Sequence, residues 1–185
     1  MAIIIKEKKN DFERVEPGCY RAVCCDVVDI GVQKTNFGDK EMIRIHWLLD
    51  EKMTTGKYAE KPFGAVRRYS KTLSKNSKLR EHLKSWRGRD FTDEELAGFD
   101  IENIIGKCCQ LNIVAGHNDP ITERYVDGVM ADVKGADPLK IPEDYMRVCD
   151  RPEGVDSYGN SKDSATPQSV VVPKVKDEDL DDVPF

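Results

Sequence analysis

Three stretches of the first 70 residues have the residue pattern of β-strands, and one of them alternates between hydrophobic and polar positions. The stretch Cys19 to Ile30 is rich in β-forming residues and predicts a long first strand. A turn or hairpin loop is expected at Gly31 to Lys40. In Met42 to Leu49 the large apolar side chains recur at every second position, which predicts a second strand with one exposed face. A third strand is predicted at about Phe63 to Ser70.

The period of the pattern changes after the third strand. In Ser77 to Trp86, apolar residues recur at intervals of four and three, which predicts an amphipathic helix. A second, short helix is predicted at Thr92 to Ala97, which begins with a capping-box sequence. Strands are expected again at Lys107 to Val114 and at about Arg124 to Val133, joined by a hairpin loop.

Three strands, a helical connection and two more strands form the element order of an OB-fold. This is a five-stranded barrel whose mid-barrel face and loops hold oligonucleotides. We therefore predict a mainly β protein in which residues 1–150 form an OB-fold barrel, with the helix between strands 3 and 4. A small α+β sandwich would give the same element order and is the alternative.

The composition changes after residue 134, where Pro and Gly occur among polar residues. Gly135 to Tyr145 is expected to close over the core. Residues 151–176 are expected to form a flexible linker, and residues 177–185 an acidic tip at the end of a disordered tail.

Charge is distributed unevenly along the chain. The net charge of −5 argues at first against a nucleic-acid ligand, but the last nine residues hold five acids and no base. The stretch Lys61 to Arg89, here called the basic stretch, holds ten bases against a single acid, Glu81. A local excess of nine positive charges attracts a polyanion, because bound counterions are released. A solvated surface is the alternative interpretation of such a run.

Binding to a single strand requires cations along the phosphates and flat groups beneath the bases. Arg67 and Arg68 are the strongest candidates, because a guanidinium pairs with phosphate and also stacks on a base. Tyr69 is the candidate stacking ring, with a core position as its alternative, whereas Trp47 and Trp86 are expected in the core. The predicted DNA-binding residues are Arg21, Arg44, His46, Arg67, Arg68, Tyr69, Lys71, Lys75, Lys78, Arg87 and Arg89.

Catalysis is not expected from the residues present. The cysteines include two adjacent pairs in strand-like runs, and neighbouring strand side chains point to opposite faces, so neither pair can chelate one metal. We expect reduced thiols in a cytoplasm, no metal, no cofactor and no membrane-spanning segment. A metal-dependent nuclease is the less favoured alternative, since it would need clustered carboxylates or histidines.

The acidic tip is the most specific signal in the sequence. Acids there precede a short apolar end, which can enter a pocket while the acids contact basic residues around it. We therefore expect the tip to bind partner proteins, with a solubility tail as the alternative. An adapter that binds proteins but little or no DNA would carry the same tip. The predicted partner-binding residues are Asp177, Glu178, Asp179, Asp181, Asp182, Val183, Pro184 and Phe185.

The tip resembles the acidic, Pro-Phe-ending peptide of bacterial single-stranded DNA-binding proteins, which recruits replication, recombination and repair proteins. The body is similar to a group of phage and prophage single-stranded DNA-binding or recombination-associated proteins. This resemblance implies an OB-fold, phage DNA replication or recombination in the bacterial host cytoplasm, and no catalysis. The bacterial proteins lack the basic helical insert, so a homo-oligomer stays an open alternative. The matching stretches are Pro17 to Ala22, Val27 to Gly31, Leu79 to Phe91, Gly98 to Asp100 and Ile105 to Lys107.

Overall fold

The computed structural model describes residues 13–36, 38–116 and 123–161. Five antiparallel strands form one sheet in the order β3-β2-β1-β4-β5. The strands are β1 (Gly18–Thr35), β2 (Gly38–Lys52), β3 (Pro62–Ser70), β4 (Cys108–Ala115) and β5 (Arg124–Ala131). Helices α1 (Lys78–Arg87) and α2 (Asp93–Ala97) and a 3₁₀ turn (Ile101–Ile104) connect β3 to β4, and a second 3₁₀ turn (Val148–Asp150) follows β5. The prediction of a mainly β protein with helices between strands 3 and 4 is confirmed.

The hairpin of β1 and β2 is longer than the sequence predicted. The two strands pair from Ala22 opposite Leu49 to Thr35 opposite Gly38, so most of the expected loop at 31–40 is strand. The register shifts between Asp29 and Gly31, where Gly31 has a φ of 65°. Glycine adopts this left-handed conformation at low cost, so it bends the strand at a bulge and does not end it.

The inner face of the sheet packs against α1 and forms the main core. Alternate residues of β2, among them Ile45 and Trp47, lie on this face and are buried, as predicted. Helix α1 buries the stripe that includes Leu83 and Trp86, and the Trp86 indole donates a hydrogen bond to the carbonyl of Cys108 at 2.7 Å. The core roles predicted for both tryptophans are confirmed.

The two outermost strands, β3 and β5, come close without forming a ladder. The guanidinium of Arg67 on β3 donates a hydrogen bond to the backbone carbonyl of Val126 on β5. Among the strands of the described ranges, no backbone pairing joins β3 to β5. The sheet is therefore not closed into the predicted barrel. The side chain of Arg67 joins β3 to β5 at the position where backbone pairing would have closed it.

The other face of the sheet, here called the outer face, is partly covered by residues 135–161, the covering segment. Its apolar side chains Leu139, Ile141 and Tyr145 pack against a second small cluster that includes Val23 and Leu48. The expected closing segment at 135–145 is therefore present, and it packs on the outer face, away from the main core.

The covering segment is anchored at two points. The buried Asp26 carboxylate accepts hydrogen bonds from Arg147 Nε at 3.0 Å and from the Val148 N–H at 2.7 Å. Further along, the Tyr58 hydroxyl donates to Asp156 at 2.6 Å. Residues 151–161 are therefore folded onto the body, which corrects the predicted start of the linker at 151. The rest of that linker and the tip at 177–185 lie outside the described residues.

Candidate functional site

Part of the charge of the basic stretch is balanced within the fold. Seven of its ten bases form ion pairs, but they share five carboxylates, so the excess of nine positive charges seen in the sequence falls to five. Most of these acids come from other parts of the chain, which a window on the sequence does not include. The pairs are Lys61 with Asp144, Lys71 with Asp29, Lys78 with Glu81, Arg80 and Lys84 with Asp90, and Arg87 and Arg89 with Glu95.

Arg87 and Arg89, both predicted to bind DNA, join the end of α1 to α2. Arg89 lies 2.8 Å from the Glu95 carboxylate, and Arg87 pairs with the same carboxylate while its guanidinium covers the Phe91 ring at 4.4 Å. The Arg89 guanidinium and the Thr92 backbone N–H lower the pKa of Glu95 to about 2. These contacts give both arginines a structural role, and their predicted contact with DNA stays a prediction.

Three other predicted DNA-binding residues are also engaged. Arg21 forms two hydrogen bonds to Asp132, at 2.9 and 3.0 Å, which tie β1 to the residues after β5. Lys71 lies 2.6 Å from Asp29, and Lys78 lies 3.0 Å from Glu81. The two lysine pairs are exposed, and such pairs are weak enough to open for a competing ligand.

Tyr69, the predicted stacking ring, is a core residue. Its side chain is 1% exposed, and its hydroxyl lies 2.9 Å from His82 Nδ1. Burial raises the pKa of this hydroxyl well above its ordinary value. Arg67 lies on the same side of β3, with its guanidinium 5.6 Å from the centre of the Tyr69 ring. The stacking prediction for Tyr69 is therefore wrong, since neither face of the ring is open to a base.

The outer face of β2 and β3 holds three more of the predicted DNA-binding residues, Arg44, His46 and Arg68. Arg44 lies directly opposite Arg68, and His46 lies opposite Val66. Arg68 is exposed and Arg44 is half-buried, and neither forms an ion pair with any described residue. Burial and the charge of Arg68 lower the pKa of Arg44. Burial lowers the pKa of His46 to about 4, so its imidazole is neutral at pH 7.

Ser70 is a neighbour of these residues that sequence reasoning missed. It lies two positions after Arg68 and therefore on the same face of β3. Its side chain is only 8% exposed, yet its hydroxyl has no hydrogen-bond partner in the described part of the chain. The alternation along the third strand placed Ser70 on this face, but nothing in the sequence showed that it would be buried. We call Arg44, His46, Arg68 and Ser70 the outer-face patch.

Several buried polar atoms of this patch have no hydrogen-bond partner among the described residues. Seven buried side-chain polar atoms of the described residues lack a partner, and three of them are Arg44 Nε, His46 Nε2 and Ser70 Oγ. Buried polar groups are usually paired, so such a concentration is uncommon. Two cations and two neutral polar groups on one face provide hydrogen-bond donors for an anion. Lys75, the last of the predicted residues, is exposed in the loop before α1.

Three tyrosine rings are grouped beside the covering segment, and none of them is among the residues predicted to bind DNA. Tyr58, Tyr145 and Tyr158 are half-buried, with the Tyr158 ring 6.4 Å and 6.1 Å from the other two. The Lys61 ammonium lies 4.8 Å from the Tyr158 ring, so the protein's own cations already contact this cluster. Its role is to hold the covering segment. All six cysteines are free thiols, and no group of three potential metal ligands occurs within 13–36, 38–116 and 123–161.

Comparison of the sequence with protein-family models and with curated proteins finds no match in either set. No helix in the part of the chain that the structure describes is both long and apolar enough to cross a membrane.

Proposed function

We propose that this protein binds single-stranded DNA without catalysis, in phage DNA replication or recombination, and that the outer-face patch contacts the strand. The observation that carries the proposal is the pair Arg44 and Arg68, which face each other across β2 and β3 without a carboxylate partner among residues 13–36, 38–116 and 123–161. Like charges directly opposite one another destabilise a sheet. A sheet that keeps such a pair, in a fold that pairs seven of the ten bases of the basic stretch with carboxylates, is well suited to an anionic ligand.

The sheet supports the proposal of a partly open OB-fold. Its five strands are antiparallel, β1 pairs with both β2 and β4, and α1 lies between β3 and β4 in the chain. The face of strands 2 and 3 is where OB-folds hold oligonucleotides. The patch lies on these same two strands, since Arg44 and His46 belong to β2 and Arg68 and Ser70 to β3.

The chemistry of the patch favours contact with the backbone of the strand over reading of its bases. Guanidinium groups pair with phosphate oxygens and also stack on bases, so Arg44 and Arg68 can do both without an aromatic ring. We therefore propose mild sequence preference and some affinity for RNA. The tip at 177–185 would recruit partner proteins separately.

The proposal is tested by fluorescence anisotropy with a labelled oligothymidine and the full chain. Replacing both arginines, in the variant Arg44→Gln/Arg68→Gln, should weaken binding about tenfold or more, because each charged hydrogen bond contributes about 1.5–3 kcal/mol. The matched control is Lys134→Gln, since Lys134 is exposed, follows β5 and forms no ion pair with described residues. Its affinity should equal that of the unaltered protein. Failure of the unaltered protein to bind oligothymidine would reject the proposal and favour the adapter.

A further inference from the structure

The outer-face patch has the layout of a site for a single oxyanion. Ser70 lies opposite Met42 on β2, and Arg68 lies opposite Arg44, so the four residues occupy the corners of one cross-strand square. Adjacent strands lie about 4.8 Å apart, and residues two apart on one strand about 6.6 Å apart. Side chains that rise from such a square can converge on one small ligand. Met42, at the fourth corner, is 5% exposed and is the apolar member of the square.

Ser70 is the member of the square whose environment is hardest to explain without a ligand. It is more than nine-tenths buried, and its hydroxyl donates to and accepts from no described residue. Burying a hydroxyl without a partner costs free energy. The Nε atom of Arg44, at the diagonal corner of the square, is also buried and has no partner among the described residues. Both groups are hydrogen-bond donors, so an acceptor with several oxygens would satisfy both of them at once.

Two carboxylates on β1 that lie close to the patch in the strand register are already engaged. Asp26, which lies opposite His46 in the register of β1 and β2, is buried and paired with Arg147. Asp29 is paired with Lys71 at 2.6 Å. Neither forms an ion pair with Arg44 or Arg68.

We infer that Arg44, Arg68 and Ser70 form a discrete site for one tetrahedral phosphate oxyanion, in which the Ser70 hydroxyl is a donor that complements the two guanidinium groups. The inference rests on the proposed function only for the source of the phosphate. In a single strand the oxyanion is a backbone phosphodiester, and free inorganic phosphate has the same chemistry. The site therefore fixes the position of one phosphate on the sheet.

The test uses the full chain, inorganic phosphate and a labelled oligothymidine, with the variants Ser70→Ala and Ser74→Ala. Ser74 is an exposed serine four residues further on, so Ser74→Ala controls for loss of a hydroxyl nearby. Thermal unfolding is measured with phosphate and with chloride at equal ionic strength, and phosphate is then titrated against bound oligothymidine. Phosphate should raise the melting temperature of the unaltered protein and of Ser74→Ala.

In chloride, Ser70→Ala should melt at or above the temperature of the unaltered protein, because it removes an unmet donor. Stabilisation by phosphate should be largely lost in Ser70→Ala, and oligothymidine affinity should fall about threefold to tenfold, the loss expected for one hydrogen bond. Equal stabilisation of Ser70→Ala and the unaltered protein, or none of either, would overturn the site.

The two proposals fail separately. Oligothymidine binding that Ser70→Ala leaves unchanged would overturn the phosphate site and leave the DNA-binding function standing. Phosphate binding that depends on Ser70, in a protein that does not bind oligothymidine, would support the site and reject the function. If phosphate displaces oligothymidine from the unaltered protein, and does so less effectively from Ser70→Ala, the result would support both proposals.

Discussion

Arg67 and Arg68 are adjacent in sequence, yet their guanidinium groups lie on opposite sides of β3. Arg67 faces inward, covers the Tyr69 ring and donates to the Val126 carbonyl, so it holds β3 to β5. Arg68 faces outward, opposite Arg44, and has no such partner among the described residues. The alternation of side chains along a strand therefore gives Arg67 a role in stability and leaves Arg68 on the face of the proposed site. The sequence identified both as candidates but could not separate their roles, because Val126 lies 59 residues away.

Buried histidines make the stability of this protein depend on pH. Burial lowers the pKa of His82 to about 4 from an ordinary value of 6.5, and His46 shifts in the same direction for the same reason. Between these two values the unfolded chain binds more protons than the native protein does. Stability is therefore fully present above about pH 6.5 and is lost as the pH falls toward 4. For His82, which is 5% exposed, the loss between pH 7 and pH 5 is about 2 kcal/mol.

Urea unfolding of His82→Asn at pH 7 and pH 5 measures this contribution. Asparagine keeps an acceptor for the Tyr69 hydroxyl and removes the titrating ring, so the variant should lose less stability on acidification than the unaltered protein. An identical loss in His82→Asn and the unaltered protein would mean that His82 is not the group that titrates.

At the scale of elements, the ion pair between the buried Asp26 and Arg147 is one of the two anchors of the covering segment. Asp26 is 1% exposed, and Arg147 and the Val148 N–H are its partners. Arg147→Met should destabilise the protein by about 3 kcal/mol, because it leaves a buried carboxylate without its cation. Chemical denaturation measures the effect. Glu102→Gln removes only the exposed partner of Arg147 and should cost much less. Comparable losses in the two variants would show that Asp26 is not the anchor.

The elements that the sequence predicted best are those with a local signal. Strand alternation in β2 and the apolar stripe of α1 arise within a few residues, and both elements formed where expected. Residues 151–161 were assigned to the linker because their Pro, Gly and polar composition matches one. They fold because Asp156 and Tyr158 contact Tyr58, about 100 residues earlier. The composition of a segment does not show that its residues contact a tyrosine about 100 positions earlier in the chain.

At the scale of the whole molecule, charge pairing separates the candidate site from the rest of the basic surface. The acids that neutralise Lys71, Arg87 and Arg89 stand outside the Lys61 to Arg89 window, so only the fold shows that these cations are occupied. The charge excess in the sequence predicted an anionic ligand, and this stays a prediction. The proposed site narrows the contacts to Arg44 and Arg68, two cations on one face of β2 and β3 that form no ion pair with described residues.

With contacts from Arg44 and Arg68 alone, the salt dependence expected for DNA binding is weaker than the basic stretch suggests. Each phosphate neutralised on a single strand contributes about −0.7 to the slope of log affinity against log salt concentration. Ten free cations would give a slope near −7, whereas contacts from Arg44 and Arg68 alone give about −1.4. We therefore expect a shallow slope, between about −1 and −3, when oligothymidine affinity is measured from low to moderate salt.

The acidic tail could distort this slope, so the matched control is the chain ended after Ser161. That truncation removes six acids and three bases and changes the net charge from −5 to −2. The truncated chain should bind at least as tightly at low salt, because a source of repulsion is gone, with a similar slope because the same arginines contact the strand. A slope steeper than about −4 in both proteins would show that the ion pairs of α1 open to receive DNA. The outer-face patch would then be only one part of a larger interface.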